Sequence, residues 1–228
     1  VINLYIGHDP RESIGTFVFL SSLLRRTTSP TAVTPMHKPM LHRVFGGDVA
    51  DGTNAFTLSR FLIPFLQGWT GTAIFVDGAD MILKADLAEL EVWRDPYAAV
   101  QVVKHDYKTS APRKYIGTSM EADNEDYHRK NWASVMLINC AHFAWRKMTP
   151  QYMRTASKLD ILNFSWMPDE WIGELPVHWN WLADEYGENA EAKLLHWTQG
   201  VPAFPHYHDT PHAADWREEH ANVNYATD

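Results

Sequence analysis

The sequence predicts an α/β fold in which a mainly parallel, mixed sheet is flanked by helices. Two observations predict it. Short apolar runs rich in β-branched residues ("INLYIG", "TAIFVDG", "ASVMLINC") alternate with stretches of helical periodicity, and such alternation builds layered α/β architectures. The 228 residues suit one large domain at about 100–200 residues each, and no internal repeat or low-complexity run divides them.

The elements follow in order. "INLYIG" is a short buried strand, and "HDPRES" is a polar turn with helix-start signals. "SIGTFVFLSSLLRR" has helical spacing and ends in two arginines, which the negative end of a helix dipole favours. "TAVTPMHK" reads as a second strand, "GGDVADGTNA" as a loop, and "FTLSRFLIPFLQGW" as an apolar helix stopped by Gly68. The strand "TAIFVDG" leads through "MIL" to a short helix from Asp86, and "YAAVQVVKHD" is a strongly β-branched strand. The stretch from Arg113 to Arg129 is polar and acidic and is expected to be a mobile loop or lid. "ASVMLINC" and "AKLLHW" are further strands, residues 148–163 are helical or irregular, and the tail carries one helix.

Composition narrows the function. A net charge of −8 argues against nucleic-acid and anionic-membrane partners. The single cysteine, Cys140, reads as a buried strand-end thiol and cannot form an internal disulfide, which favours a reducing compartment. No apolar run approaches the roughly 18–20 residues of a membrane span, so a cytoplasmic location is expected. Ten tryptophans, many beside His, Asn or Asp, serve mainly packing, with a minority available to stack on a sugar or base.

In open α/β sheets, ligands bind at the carboxyl ends of strands. Asp9, Asp77, Asp80, the run Lys104-His105-Asp106 and His196 all fall at or just past such ends. Asp77 and Asp80 offer hard oxygen ligands to a divalent cation; the alternative is a turn whose amides they bond. A neutral His196 would complete a mixed oxygen–nitrogen site, which tilts the metal from magnesium towards manganese, although a lone strand-end histidine is also a common structural residue. His206, His208 and His212 resemble a zinc site in density but not in spacing. Arg60, on an apolar helix face, requires a carboxylate or phosphate, either inside the protein or on a ligand. Asp169 and Glu170 sit after Pro168 among aromatics, where one could face a ligand and the other cap the next turn. There is no Gly-rich phosphate loop and no G-x-S-x-G elbow.

Six segments taken together resemble the GT-A glycosyltransferases, especially glycosyltransferase family eight and its bacterial relatives. "NLYIGHDPRE" is similar to the family's first strand and nucleotide-contacting turn, and "TLSRFLIPFL" to its arginine-bearing helix. "IFVDGADMILKADLAEL" resembles the strand with the metal-binding Asp-x-Asp motif. "NWASVMLINC" parallels a small-residue strand, "PDEW" the "DQD" element, and "LLHWTQGVPAF" the terminal "H-x-x-G-x-K-P-W".

The resemblance implies a single GT-A (Rossmann-like) domain over 1–228, with a nucleotide-binding part at about 1–106 and an acceptor-side part at about 107–228. It implies transfer of a hexose from a nucleotide diphosphate sugar, UDP-linked, to a carbohydrate or other hydroxyl acceptor, with retention of configuration. Asp77, Asp80 and His196 would hold Mn²⁺, with Mg²⁺ as the alternative. Ile6, Asp9, Arg60, Asp77, Lys104, Asn131, Ser134 and Gly200 would contact the donor, and Asp169 and Glu170 would serve catalysis. The chain departs from the pattern at four places. Asp77 stands one residue early, giving Asp-x-x-Asp; Trp132 replaces an asparagine, Glu170 a glutamine and Val201 the phosphate-binding lysine. Two other readings stay open: a catalytically silent nucleotide-sugar-binding protein, favoured by the missing lysine and the shifted aspartate, and a metal-dependent phosphohydrolase.

Overall fold

A computed structural model describes residues 1–45, 54 and 56–223. Apart from Asn54, the predicted loop "GGDVADGTNA" lies outside the described residues.

Strand β1 (Ile2–Gly7) is buried almost throughout and leads through a 3₁₀ turn at Pro10–Glu12 into α1 (Ser13–Arg26). Strand β2 (Thr31–Met36) pairs in parallel with β1 as a largely exposed edge strand, a position that tolerates Pro35. Helix α2 (Lys38–Phe45) follows; the sequence reading had placed no helix there.

The apolar stretch expected as one helix is broken in two. A 3₁₀ turn at Ser59–Leu62 precedes α3 (Ile63–Leu66), because Pro64 cannot donate to the preceding turn and starts a new helix instead. Gly68 ends the segment with φ +62°. Strand β3 (Thr72–Val76) and strand β4 (Met81–Leu83) flank the turn that carries Asp77 and Asp80. The helix expected from Asp86 is a 3₁₀ run, Leu87–Trp93, capped by the Asp86 carboxylate on the Ala88 amide.

The long strand expected over 97–106 forms a ladder only at β5 (Val100–Val102), since the His105 amide turns back onto the Val103 carbonyl. The acidic stretch expected as a loop holds a small antiparallel pair, β6 (Arg113–Lys114) and β7 (Ala122–Asp123), with Arg113 bonded to Glu121 and Asp123. Strand β8 (Val135–Asn139) ends at Cys140, which is fully buried as expected. Next come α4 (Pro150–Thr155), α5 (Lys158–Leu162) and β9 (Ile172–Glu174). The last elements are β10 (Trp181–Leu182), α6 (Ala183–Tyr186), β11 (Leu194–His196) and α7 (Ala213–Ala221).

The main sheet has six strands in the order β2-β1-β3-β8-β5-β9. Only β8 runs against the others, pairing antiparallel with β3 and β5, so the sheet is mixed but mainly parallel as predicted. Its two faces bury separate apolar clusters, one around Phe61, Phe75 and Trp145, the other around Leu4, Phe19 and Leu87. "AKLLHW" does not join this sheet. It forms β11 in a second sheet of order β10-β11-β4, backed by Val18, Trp197 and Trp216. That second sheet sets the position of His196.

Candidate metal and donor site

Strand β3 delivers Asp77 to the end of the main sheet, where its amide bonds the Ser134 carbonyl at the head of β8. Gly78 then takes φ +71°, and the Ala79 amide donates to the Asp77 carbonyl across 2.8 Å. This three-residue turn reverses the chain within one residue. Helix α1 is packed directly on it, because a Cβ at Gly15 would stand 1.7 Å from the Ala79 carbonyl oxygen. Strand β11 pairs antiparallel with β4, placing His196 opposite Met81, and the Trp197 amide bonds the Asp80 carbonyl at 2.9 Å.

The outcome is a buried triad. Ligand atoms of Asp77, Asp80 and His196 all lie within 4.8 Å of one another. His196 Nε2 is 3.4 Å from Asp80 Oδ2 and 4.0 Å from Asp77 Oδ2. The tight turn thus brings the two aspartates together despite their extra residue of spacing. Among the described residues this is the one group of three or more His, Cys, Asp or Glu side chains that could hold a metal ion. Two of the three tail histidines are engaged elsewhere: His208 with Asp209, and His212 with Asp215 and the Asn189 amide.

The triad's electrostatics fit a cation. Asp77 Oδ1 lies 2.5 Å from the buried Arg60 guanidinium in a charge contact that lacks hydrogen-bond alignment, and Arg60 also donates to the Ala133 carbonyl. Buried Asp77 Oδ1 and Asp80 Oδ1 have no hydrogen-bond donor. Burial outweighs Arg60 and, with Asp80 adding to it, holds the Asp77 carboxyl up at about 6. Burial disfavours a charged His196, yet Asp80, Asp77 and Asp184 raise its pKa above the ordinary value. Two carboxylates facing an imidazole nitrogen, one with an oxygen met by no donor and the other with an oxygen met only by Arg60, offer the oxygen–nitrogen donor set of a divalent metal.

The triad opens into a pocket of about 120 Å³ that Arg60, Asn131 and Ser134 also line. The other predicted donor contacts stand apart from its lining. Ile6 is fully buried in the core, and Asp9 bonds the Arg11 guanidinium at 2.6 and 2.9 Å. The Lys104 amine lies 5.8 Å from the Trp132 ring centre, and Gly200 packs against Tyr207, whose ring a Cβ would strike. Asp169 and Glu170 are exposed on a 3₁₀ turn at Asp169–Trp171, and Asp169 pairs at 2.6 Å with Arg129, which does line the pocket.

The sequence reading missed three contributors. Asn180, fully buried, accepts from His196 Nδ1 at 2.9 Å through its amide oxygen and donates to Ser134 Oγ at 2.8 Å through its amide nitrogen. Lys114 and Tyr115 enter the pocket from the β6–β7 stretch. That stretch is docked: the Tyr115 amide bonds the Gln199 carbonyl at 2.7 Å, and the Ile116 amide bonds the Tyr207 hydroxyl at 3.0 Å. The asparagine was hidden between the tryptophans of "HWNWL", and the lysine lay in a polar stretch without hydrophobic periodicity.

No protein-family model matches the chain. It is 32% identical over 231 residues to Protein CDI of Arabidopsis thaliana, covering 97% of this chain and 86% of that protein. Among solved structures it resembles the WbbM bifunctional glycosyltransferase, with a TM-score of 0.67, 14% identity and coverage of 97% of this chain. The chain spans 50% of the WbbM chain's length. It also resembles the galactosyltransferase LgtC in complex with donor and acceptor sugar analogs, with a TM-score of 0.62 and 15% identity. That match covers 100% of this chain and 98% of LgtC. The fold is that of the GT-A glycosyltransferases.

Proposed function

The chain belongs to the family of Protein CDI, and from that premise we propose that it is a metal-dependent glycosyltransferase acting on a nucleotide diphosphate sugar. The observation that carries the reading is the convergence of Asp77, Asp80 and His196 at the end of β3, with a buried Asp80 oxygen that no donor meets. The donor is a UDP-linked hexose and the acceptor a carbohydrate or other hydroxyl. Similarity to LgtC, solved with donor and acceptor sugar analogs, supports that class of ligand for a shared fold.

Mn²⁺ held by the triad, or Mg²⁺ in its place, would supply positive charge to the leaving diphosphate. The protein's own residues do the rest. Asn180 holds the His196 ring in place. Arg60 keeps Asp77 ionised and oriented towards the pocket. Asn131, in a left-handed conformation with φ +62°, and Ser134 present polar groups to the donor. Asp169 acts on the pocket through Arg129, and Glu170, on the same turn, serves the sugar once a donor is bound. Residues 1–106 form the nucleotide-binding part and 107–228 the acceptor-side part, which also lends His196, Asn131 and Ser134 to the donor, with configuration retained and a cytoplasmic setting. Among the described residues no helix is long and apolar enough to cross a membrane.

Calorimetry with Mn²⁺ and UDP tests the assignment, followed by hydrolysis of UDP-hexoses with and without Mn²⁺. Asp80→Asn and His196→Ala should each abolish Mn²⁺-dependent UDP binding while the far-UV spectrum is kept. Affinities unchanged in both variants would remove the triad from the site. Release of inorganic phosphate from a nucleotide or sugar phosphate would instead indicate a phosphohydrolase.

A further inference from the structure

Four cations line the donor pocket, and two are already committed. Arg60 is held by Asp77 and the Ala133 carbonyl, and Arg129 by the Asn163 carbonyl and Asp169. The other two, Lys114 and Lys158, have no ion pair among the described residues. Lys158 is exposed at the start of α5, where water solvates it. Lys114 is half-buried, and it also lines a contiguous cavity of about 330 Å³. A partly desolvated ammonium without a carboxylate partner is costly unless an anion comes to it.

Local backbone geometry fixes where that ammonium stands. Tyr115, the next residue, is 2% exposed and takes φ +56°, a left-handed conformation that a bulky side chain keeps only when its surroundings hold it there. Bonds from Tyr115 to Gln199 and from Ile116 to Tyr207 hold the turn in place. Burial lowers the Lys114 pKa, with Lys130 and Lys158 adding to it, while Asp80 and Asp77 oppose the shift. The lysine is therefore within electrostatic reach of the metal triad but has no bond to it.

The charge balance leaves a role open. A divalent cation and Arg60 do not neutralise two carboxylates together with a nucleoside diphosphate. In the sequence pattern, the phosphate-binding lysine falls at Val201, which is 1% exposed and packed in the third apolar cluster. We infer that Lys114, carried on the β6–β7 hairpin, holds the donor's diphosphate in this chain and supplies the charge that Val201 cannot. This rests on the glycosyltransferase reading above. It moves the phosphate-binding cation from the tail segment to a hairpin that reaches over the metal triad from the acceptor side.

The test is calorimetry on the full chain with Mn²⁺ alone, then with UDP and with inorganic pyrophosphate in the presence of Mn²⁺. Lys114→Met should bind Mn²⁺ within twofold of the wild type yet bind UDP and pyrophosphate at least tenfold more weakly. Lys114→Arg should recover most of the loss, which also guards against misfolding as the cause. If the wild type binds UDP and Lys114→Met binds it within twofold as well, the lysine assignment is overturned and the donor reading stands. Lys114-dependent binding of pyrophosphate with no binding of UDP keeps the lysine as a diphosphate clamp and removes the nucleotide-sugar reading. Binding of neither probe by the wild type overturns both.

Discussion

His196 Nδ1 and Asn180 Oδ1 lie 2.9 Å apart in a fully buried pair, and the remaining contacts of Asn180 fix its orientation. Its amide nitrogen faces Ser134 Oγ at 2.8 Å and the Asn131 carbonyl at 3.2 Å, so its oxygen must face the imidazole. An amide oxygen only accepts, which places a proton on Nδ1 and directs Nε2 at the two aspartates. Partners of this kind orient a metal-binding histidine, and their loss typically costs 10–100-fold in metal affinity. Asn180→Ala should weaken Mn²⁺ binding by about that factor in calorimetry. An unchanged Mn²⁺ affinity in a folded variant would show that the ring needs no such support.

Gly78 gives a second prediction. Its φ of +71° suits glycine, and a Cβ there would stand 3.2 Å from the Ile6 Cβ. Gly78→Ala should cost about 1–3 kcal/mol in urea denaturation. It should also weaken Mn²⁺ binding, since the turn sets the approach of Asp80 to Asp77. Lost stability with intact metal affinity would mean that the two aspartates converge by some other constraint.

Arg60 and Asp77 give a third. Removing one partner of a buried ion pair strands the other charge, typically at about 3–5 kcal/mol. Arg60→Met should therefore destabilise the metal-free protein, and added Mn²⁺ should restore part of the loss. The pH dependence has a definite sign. Without Arg60 the folded-state pKa of Asp77 moves further above its present value of about 6, so the folded state binds a proton that the unfolded chain releases. The variant's deficit should shrink as pH falls from 8 to 5, and a deficit that grows instead would contradict the pairing.

His105 gives a fourth. Buried with Nδ1 2.8 Å from the Tyr186 hydroxyl and Nε2 unpartnered, it is held neutral, its pKa lowered by burial, with His196 adding, to about 3. Above the unfolded value of 6.5 neither state is protonated and the ring adds no pH dependence. Below it the unfolded chain takes a proton that the fold refuses, so stability falls through the window from 6.5 to about 3. At pH 5 the loss is about 2 kcal/mol. His105→Gln should flatten the stability–pH curve over that window relative to the wild type, as read by urea midpoints.

How much of this was legible in the sequence depended on the range of the interaction. The apolar run into Asp77 and Asp80 marks a strand end, because carboxylates after such a run need a partner, and His196 follows a similar run. Their meeting was not legible from periodicity. It depends on antiparallel pairing of β4 with β11, each only three residues long, and on a glycine turn that absorbs the extra residue. The helix expected around Arg60 failed at Pro64, a local rule overridden by the apolar pattern in the reading. The stretch after Arg113 read as loop because it has no apolar periodicity, and the partners that dock Tyr115 and Ile116 lie some eighty to ninety residues further on, at Gln199 and Tyr207.

The last prediction concerns Asp169 and Glu170, which decide the catalytic side of the proposal. Both are exposed on a short 3₁₀ turn, and only Asp169 has a link to the pocket, through its 2.6 Å pair with Arg129. Arg129 itself takes φ +59°, packs over Trp132 at 5.0 Å and donates to the Asn163 carbonyl, so its position is fixed from several sides. The Arg129 guanidinium holds the Asp169 carboxyl below its usual pKa, which keeps it ionised at neutral pH. If Asp169 works by aiming Arg129 at the donor, Asp169→Asn should slow transfer at least tenfold with donor affinity nearly unchanged, and Arg129→Met should reproduce the defect without adding to it. Glu170→Gln should slow transfer to a similar degree if its carboxylate steadies positive charge developing at the sugar carbon. Melting temperatures separate these roles from a capping one. Variants that melt earlier but transfer at the wild-type rate per folded molecule would make the turn structural and leave the sugar-facing chemistry to Asn131 and Ser134.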